Sequence, residues 1–234
     1  MKILAVNASA REKGTTSRLA EAALRGAASA GAQTRMVMLS KLDIRFCANC
    51  LTCYQDFGAR IGACSIDDDV TGVLEEMADA DGVLFASPVH SGFVTGLMTT
   101  FLERAVWRLC RPSGEILGIA GAPEPRLTDK ARACASIVSA GMTPAEMRRY
   151  CDMGTVWLRD MAPLLVNGEF VGDMYAAGEF PREIEREEAS KKLLLRELTE
   201  AQLEEAYALG VRMAQAVRQG VKPYDAGAYV PPEA

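Results

Sequence analysis

With 234 residues and 49% hydrophobic content, the chain is long enough for one domain with a full core and has the composition of an ordinary globular protein. Its net charge of −5 offers no broad attraction for nucleic acid or acidic lipid. No apolar run approaches the roughly 18 residues of a membrane span, and the apolar start Lys2–Val6 is too short for a signal peptide. The expectation is a cytoplasmic protein with neither a membrane nor a nucleic-acid partner.

Lys2 to Val6 reads as a buried strand, a short apolar run bounded by polar residues. The turn Asn7–Ser17 follows, and Thr16 or Ser17 is the predicted N-cap of a helix over about 18–30. A strand, a hydroxyl-rich turn and a helix start together suit an anion. Backbone N–H groups there lack internal partners, and the helix dipole favours negative charge. Arg11 can add a charge-assisted bond. Neither G-x-x-x-x-G-K-[ST] nor G-x-G-x-x-G is present, which argues against a nucleoside triphosphatase and the usual dinucleotide site.

Gln33 to Leu39 is the predicted second strand. Next comes Cys47-x-x-Cys50-x-x-Cys53, with Cys64 eleven positions further on. Four thiolates on a short loop can enclose a metal or a metal–sulfur cluster, and zinc is a chemically reasonable alternative. Seven cysteines, an odd number, in a reducing compartment argue against a disulfide framework. Cys110, Cys134 and Cys151 are scattered and read as small packing residues.

Asp67-Asp68-Asp69 reads as the acidic start of a helix reaching Asp79. Gly82 to Ser87 is a third strand, opening into Pro88–Phe93 and then a helix over 95–108. Arg111 to Thr128, with three prolines and three glycines, reads as a long excursion. A fourth strand ends at Ser139, and a helix entered at Pro144 is predicted to reach Met161. Leu164-Leu165-Val166 is the predicted fifth strand. The charge-rich segment 178–197 reads as a solvated helical face, and a last helix spans 200–219. Five apolar strands alternating with helices predict a doubly wound parallel α/β sheet with helices on both faces. Ligands of such sheets sit beyond the carboxyl ends of the strands, where the loops at Ser9–Ser17, Pro88–Phe93 and Ser139–Met142 and the cysteine loop all emerge.

Ser9-Ala10-Arg11 with Gly14-Thr15-Thr16-Ser17 resembles the first flavin loop of the NADPH-dependent FMN reductase family, whose fold is flavodoxin-like. Ser87-Pro88-Val89-His90-Ser91-Gly92 resembles that family's second loop, with His90 standing where a phenol is usual. The cysteine run with Cys64, Ile66, Asp68 and Asp69 resembles the iron–sulfur flavoprotein branch, although the spacing from Cys53 to Cys64 is longer than usual there. The likeness covers residues 2 to 170.

It implies a five-stranded flavodoxin-like FMN domain over 1–220 with a cysteine loop at 43–66. The tail over 221–234, proline-bearing and without periodicity, reads as extended, and it and the 111–128 excursion are candidate contacts with a neighbouring subunit. The likeness implies that Ser9, Arg11, Thr15, Thr16 and Ser17 hold the FMN phosphate, that Pro88, Val89, His90, Ser91, Gly92 and Phe93 line the isoalloxazine, and that Gly141 lets backbone approach the ring. Cys47, Cys50, Cys53 and Cys64 would ligate a [4Fe–4S] cluster. The implied function is an oxidoreductase passing electrons from NAD(P)H or a small carrier through FMN to the cluster, in a homodimer or homotetramer. A cluster-free FMN or quinone reductase and a non-enzymatic flavodoxin-like carrier stay open. The cofactors carry the chemistry, so no catalytic side chain is assigned.

Overall fold

The computed structural model describes residues 1–116, 118–141, 145–177 and 197–225. The elements run β1 (Lys2–Asn7), α1 (Thr15–Ser29), β2 (Gln33–Met38), α2 (Thr52–Gln55), α3 (Val70–Asp79), β3 (Gly82–His90), β4 (Phe93–Val94) and α4 (Gly96–Leu109). They continue with β5 (Cys110–Ile116), β6 (Ile119–Pro125), β7 (Arg132–Ala140), α5 (Arg148–Cys151), α6 (Gly154–Val166), β8 (Gly168–Ala177) and α7 (Glu200–Gln219). The main sheet has the order β2-β1-β3-β7-β8, all parallel, and β4 turns back antiparallel on β3. Strand order reverses at β1, with β2 on one side and β3 on the other, so the crevice lies beyond Asn7 and Ser87.

Side chains of β1 alternate between two cores, as the period of a strand requires. Leu4 and Val6 join the face covered by α3, α4 and α6, while Ile3 and Ala5 join the face covered by α1 and α7. β3 divides likewise, Val83 and Phe85 to one side and Leu84 and Ala86 to the other. Helices α1 and α7 touch backbone to backbone. A Cβ on Gly26 would lie 2.0 Å from Tyr207 O, and one on Gly210 would lie 1.7 Å from Ala23 O.

The fifth strand differs from the expectation. Leu164-Leu165-Val166 ends helix α6, where Leu158, Ala162 and Leu165 fall on one buried stripe. A short apolar run does not distinguish a buried strand from a helix end. Asn167, at φ 51°, stops the helix, and β8 begins at Gly168, where a Cβ would strike Arg132 O at 1.7 Å. As an edge strand with a bulge between Phe170 and Gly172, β8 is too mixed in polarity to announce itself.

The helix expected to run to Met161 is broken instead. Asp152 is buried and its Oδ1 accepts from Thr155 N at 3.0 Å, starting α6 afresh after the single turn of α5. The excursion at 111–128 is mostly the antiparallel hairpin β5–β6. Pro144, nearly all of the charge-rich stretch at 178–197 and the tail beyond 225 lie outside the described residues. Among the described residues no helix is long and apolar enough to cross a membrane.

Candidate functional site

The turn after β1 is built on its own polar groups. Asn7 Oδ1 accepts from Ser9 N and its Nδ2 donates to Ser17 Oγ, both at 2.9 Å. Ser17 Oγ in turn donates to Arg11 O at 2.8 Å, and Ser9 Oγ binds the Arg11 backbone. These hydroxyls shape the loop, so neither Thr16 nor Ser17 serves as the N-cap; that position falls earlier, at Gly14, and α1 starts at Thr15. No side chain caps that helix start and no acid stands in its first turn. The outward amides are therefore left for an external anion, with Arg11 exposed beside them. Ser9, Thr15, Thr16 and Ser17 are all buried within this corner.

The second and third loops are tied to the first. Thr16 Oγ1 and Ser139 Oγ share a 2.6 Å hydrogen bond, which draws the end of β7 and Gly141 toward α1. Ser87 Oγ accepts from Thr95 N at 3.0 Å, Thr95 caps α4, and Thr95 Oγ1 donates to Ala8 O at 3.4 Å. Pro88 to Phe93 forms the β3–β4 hairpin, whose central residues Ser91 (φ 52°) and Gly92 (φ 78°) are both left-handed. His90 and Ser91 stand exposed at its tip, while Phe93 packs on Trp157 with centroids 5.3 Å apart. Asn7, Ser87, Thr95 and Ser139 do this joining and were absent from the sequence-derived set. A hydroxyl or amide at the carboxyl end of an apolar strand was the available signal.

The cysteine loop leaves the end of β2, and Lys41 at its entry pairs with Glu12 of the first turn. Cys47, Cys50, Cys53 and Cys64 all line one pocket of about 40 Å³, together with Ile66, Glu103, Arg104, Trp107 and Arg108. Asn49 (φ 48°) and Leu51 (φ 60°) are left-handed, a strained choice for leucine that bends the C-x-x-C-x-x-C run around this pocket. Among the described residues no three histidine, cysteine or carboxylate side chains converge as a ready metal site, so the thiols surround the pocket without closing on one point. Cys110 and Cys134 are buried elsewhere, and burial pushes both thiols up.

Three arginines from outside the loop hold it. Arg104 pairs with Asp68 at 2.6 Å and donates to Arg45 O and to Cys64 Sγ, the latter at 3.3 Å. Arg108 donates to Gly62 O and Thr71 Oγ1. Arg126 donates to the carbonyls of Cys53, Asp56, Ala59 and Cys110. Asp68 is thus more than an acidic helix start; it also accepts from Arg45 N at 3.0 Å. Arg104 and Arg108, four apart on an otherwise apolar helix face, were the signal in the sequence.

Hydrogen bonds from Ser65 and Thr52 hold the exposed Cys50 thiol down to about 6. In reduced, metal-free protein, alkylation of Cys50 by iodoacetamide is expected to rise with a midpoint near pH 6. Ser65→Ala should move that midpoint upward. Peptide mapping of the alkylated protein checks this, and a midpoint at the ordinary thiol value would contradict the hydrogen-bonding described.

An iron–sulfur flavoprotein of Methanocaldococcus jannaschii is 31% identical over 105 residues, covering 45% of this chain and 52% of that protein. One from Methanosarcina thermophila is 33% identical over 107 residues, covering 45% and 53%. The chain thus spans about half the length of the curated relatives it matches. The solved NAD(P)H:quinone oxidoreductase from Methanothermobacter marburgensis superposes with a TM-score of 0.61 at 18% identity, over 90% of this chain and 96% of that one. An archaeal flavodoxin gives 0.51 at 12% identity, over 93% and 99%. These likenesses establish the fold as flavodoxin-like. The profile of the NADPH-dependent FMN reductases matches residues 1–149, and the chain belongs to that family.

Proposed function

We propose that this chain is an FMN-dependent oxidoreductase that couples NAD(P)H or carrier electrons to a [4Fe–4S] cluster held by Cys47, Cys50, Cys53 and Cys64. The observation that carries the reading is the common pocket of the four thiols, on a loop whose entry is tied by the Lys41–Glu12 ion pair to the turn before an uncapped helix start. The likeness to iron–sulfur flavoproteins of Methanocaldococcus jannaschii and Methanosarcina thermophila supports it. When bound, FMN exchanges one or two electrons and a cluster exchanges one, so the pair converts two-electron into one-electron chemistry.

The residues fit both groups. The first-turn amides of α1 and Arg11 would hold the phosphate, in a loop kept in shape by Asn7, Ser9 and Ser17 and tied to Ser139 by Thr16, with Thr15 buried in the same corner. Pro88 to Phe93 and Gly141 would border the ring, and backbone N–H groups of the hairpin turn can stabilise negative charge there. Four thiols are the usual donor set of a [4Fe–4S] centre, and the buried Arg108 Nη1 beside them has no partner.

Exposed apolar residues flank the region: Phe46, Leu51 and Phe57 on the cysteine loop, and Met147, Tyr150, Met153 and Val156 near the second loop. Assembly into a homodimer or homotetramer would cover them, in a cytoplasmic setting that keeps the thiols reduced. A mass equal to one subunit by light scattering would refute that assembly.

Anaerobically purified protein is expected to carry FMN with iron and sulfide at about four each per chain. Flavin with zinc, or with no metal, would overturn the cluster and leave a plain reductase. Mixing with NADH or NADPH should bleach the flavin, and no bleaching with either would make the chain a carrier. Arg11→Ala should lower flavin content; full retention would contradict the phosphate assignment.

A further inference from the structure

We infer that Arg104 and Arg108 form a cationic clamp on the cysteine pocket: Arg104 positions Cys64, and Arg108 Nη1 donates to the anionic group that the four thiols enclose. The inference rests on the cluster reading above and adds to it two positioning residues that set the charge of the site.

Both arginines are 3% exposed, on successive turns of α4. A buried cation is costly unless its charge and its donors are both answered. Arg104 is fully answered. Its two Nη atoms form a bidentate pair with Asp68 at 2.6 and 3.1 Å, and Nη1 also donates to Arg45 O at 2.8 Å. That fork fixes the plane of the group, so its 3.3 Å contact with Cys64 Sγ is imposed on the thiol.

Arg108 is answered only in part. Nε donates to Gly62 O and Nη2 to Thr71 Oγ1, both at 3.0 Å, yet Nη1 is buried and unpartnered. Among the described residues no carboxylate lies within ion-pair distance of Arg108, although it lines the pocket of the four thiols. Glu103 on the same helix is exposed at the rim. The groups that can take up the Arg108 charge and its free donor are therefore the thiolates and whatever they bind.

Four thiolates outweigh the positive charge of an iron–sulfur core, and reduction adds one more electron. Net charge and hydrogen bonds to sulfur set the potential of such centres. A cation and an N–H donor held against the sulfurs favour the reduced state.

The test compares wild type, Arg108→Met and Arg108→Lys, each purified anaerobically with its flavin. Iron and sulfide are assayed first, and the cluster midpoint is then read by electron paramagnetic resonance during redox titration. Arg108→Met should move the midpoint downward by at least a tenfold change in the one-electron equilibrium, 59 mV. Arg108→Lys should restore part of the shift. A cluster-loaded Arg108→Met protein with the wild-type midpoint overturns the clamp while leaving the cluster reading intact. Wild type without iron and sulfide overturns both.

If Arg108→Met takes up no cluster, the metal-free proteins are titrated with Co(II), following the thiolate charge-transfer band. Binding at least tenfold weaker than wild type, with Arg108→Lys between, supports the clamp. Equal affinity overturns it. Unchanged circular dichroism and flavin content separate either result from misfolding.

Discussion

Gly210→Ala is expected to destabilise the protein although alanine is the better helix former. The added Cβ would lie 1.7 Å from Ala23 O, 2.6 Å from Ala23 C and 2.9 Å from Ala27 N. All three atoms are backbone, so no side chain can swing aside and α7 must move off α1. Overpacking of this kind costs about 3 kcal/mol, and the gain in helix propensity returns about 1 kcal/mol. The net loss of about 2 kcal/mol corresponds to a fall in Tm of roughly 4–8 °C for a chain of this size. α1 also carries the uncapped amides proposed to hold the flavin phosphate, so flavin retention should fall with it.

Gly72→Ala in α3 is the control, because a Cβ there meets nothing within 4 Å. That substitution should raise stability by about 0.5–1 kcal/mol. Thermal unfolding of the two variants side by side is the measurement. Equal, small effects would mean that the helices are not in backbone contact.

Asp68→Ala is expected to release the cysteine loop. It would leave the Arg104 guanidinium buried without its counter-ion and remove the acceptors of Arg45 N and Val70 N. Breaking a buried pair from one side costs about 3–5 kcal/mol. The loop's apolar anchors are few, Ile44 and Ile61 on the core and Tyr54 against Trp107, while Phe46, Leu51 and Phe57 are all exposed. The cost should therefore appear as local opening of 43–69, read by hydrogen exchange, more than as global unfolding. Unchanged protection in that segment would remove Asp68 from its assigned role.

The same pair has a pH signature. Burial pushes the Asp68 carboxyl up, but the Arg104 guanidinium and the Arg45 N–H more than offset it, and the group sits below its ordinary value. Its contribution is then fully present above the unfolded carboxylate value of about 4 and is lost as pH falls through the lower folded value. Loop protection should be flat from neutral pH down to about 5 and decline only below about 4.

How far the chain could be read in advance differs from element to element. The bounds of α7 were legible because its apolar stripe is periodic and Thr199 with Gln202 forms a capping box. Leu164-Leu165-Val166 was misread because three apolar residues carry no period, and the strand that does close the sheet, β8, is a bulged edge with Glu169 and Asp173 in it. The acidic triplet at 67–69 read as a helix start, and Asp69 does precede α3. The principal partner of Asp68 lies 36 residues away in α4, where no local pattern could disclose it.

Strands β1, β2, β3 and β7, helices α1, α3, α4 and α7, the hydroxyl-rich turn after β1 and the spacing of the four cysteines were written in the amino-acid order itself. Each depends on near neighbours: alternation, helix stripes, turn chemistry and thiol intervals. Tertiary structure alone decided that β1 lies between β2 and β3, that Thr16 meets Ser139 across 123 residues, and that three arginines grip the thiol loop. A buried charge or hydroxyl takes whichever acceptor the folded chain brings to it, and that choice is made by packing over long separations.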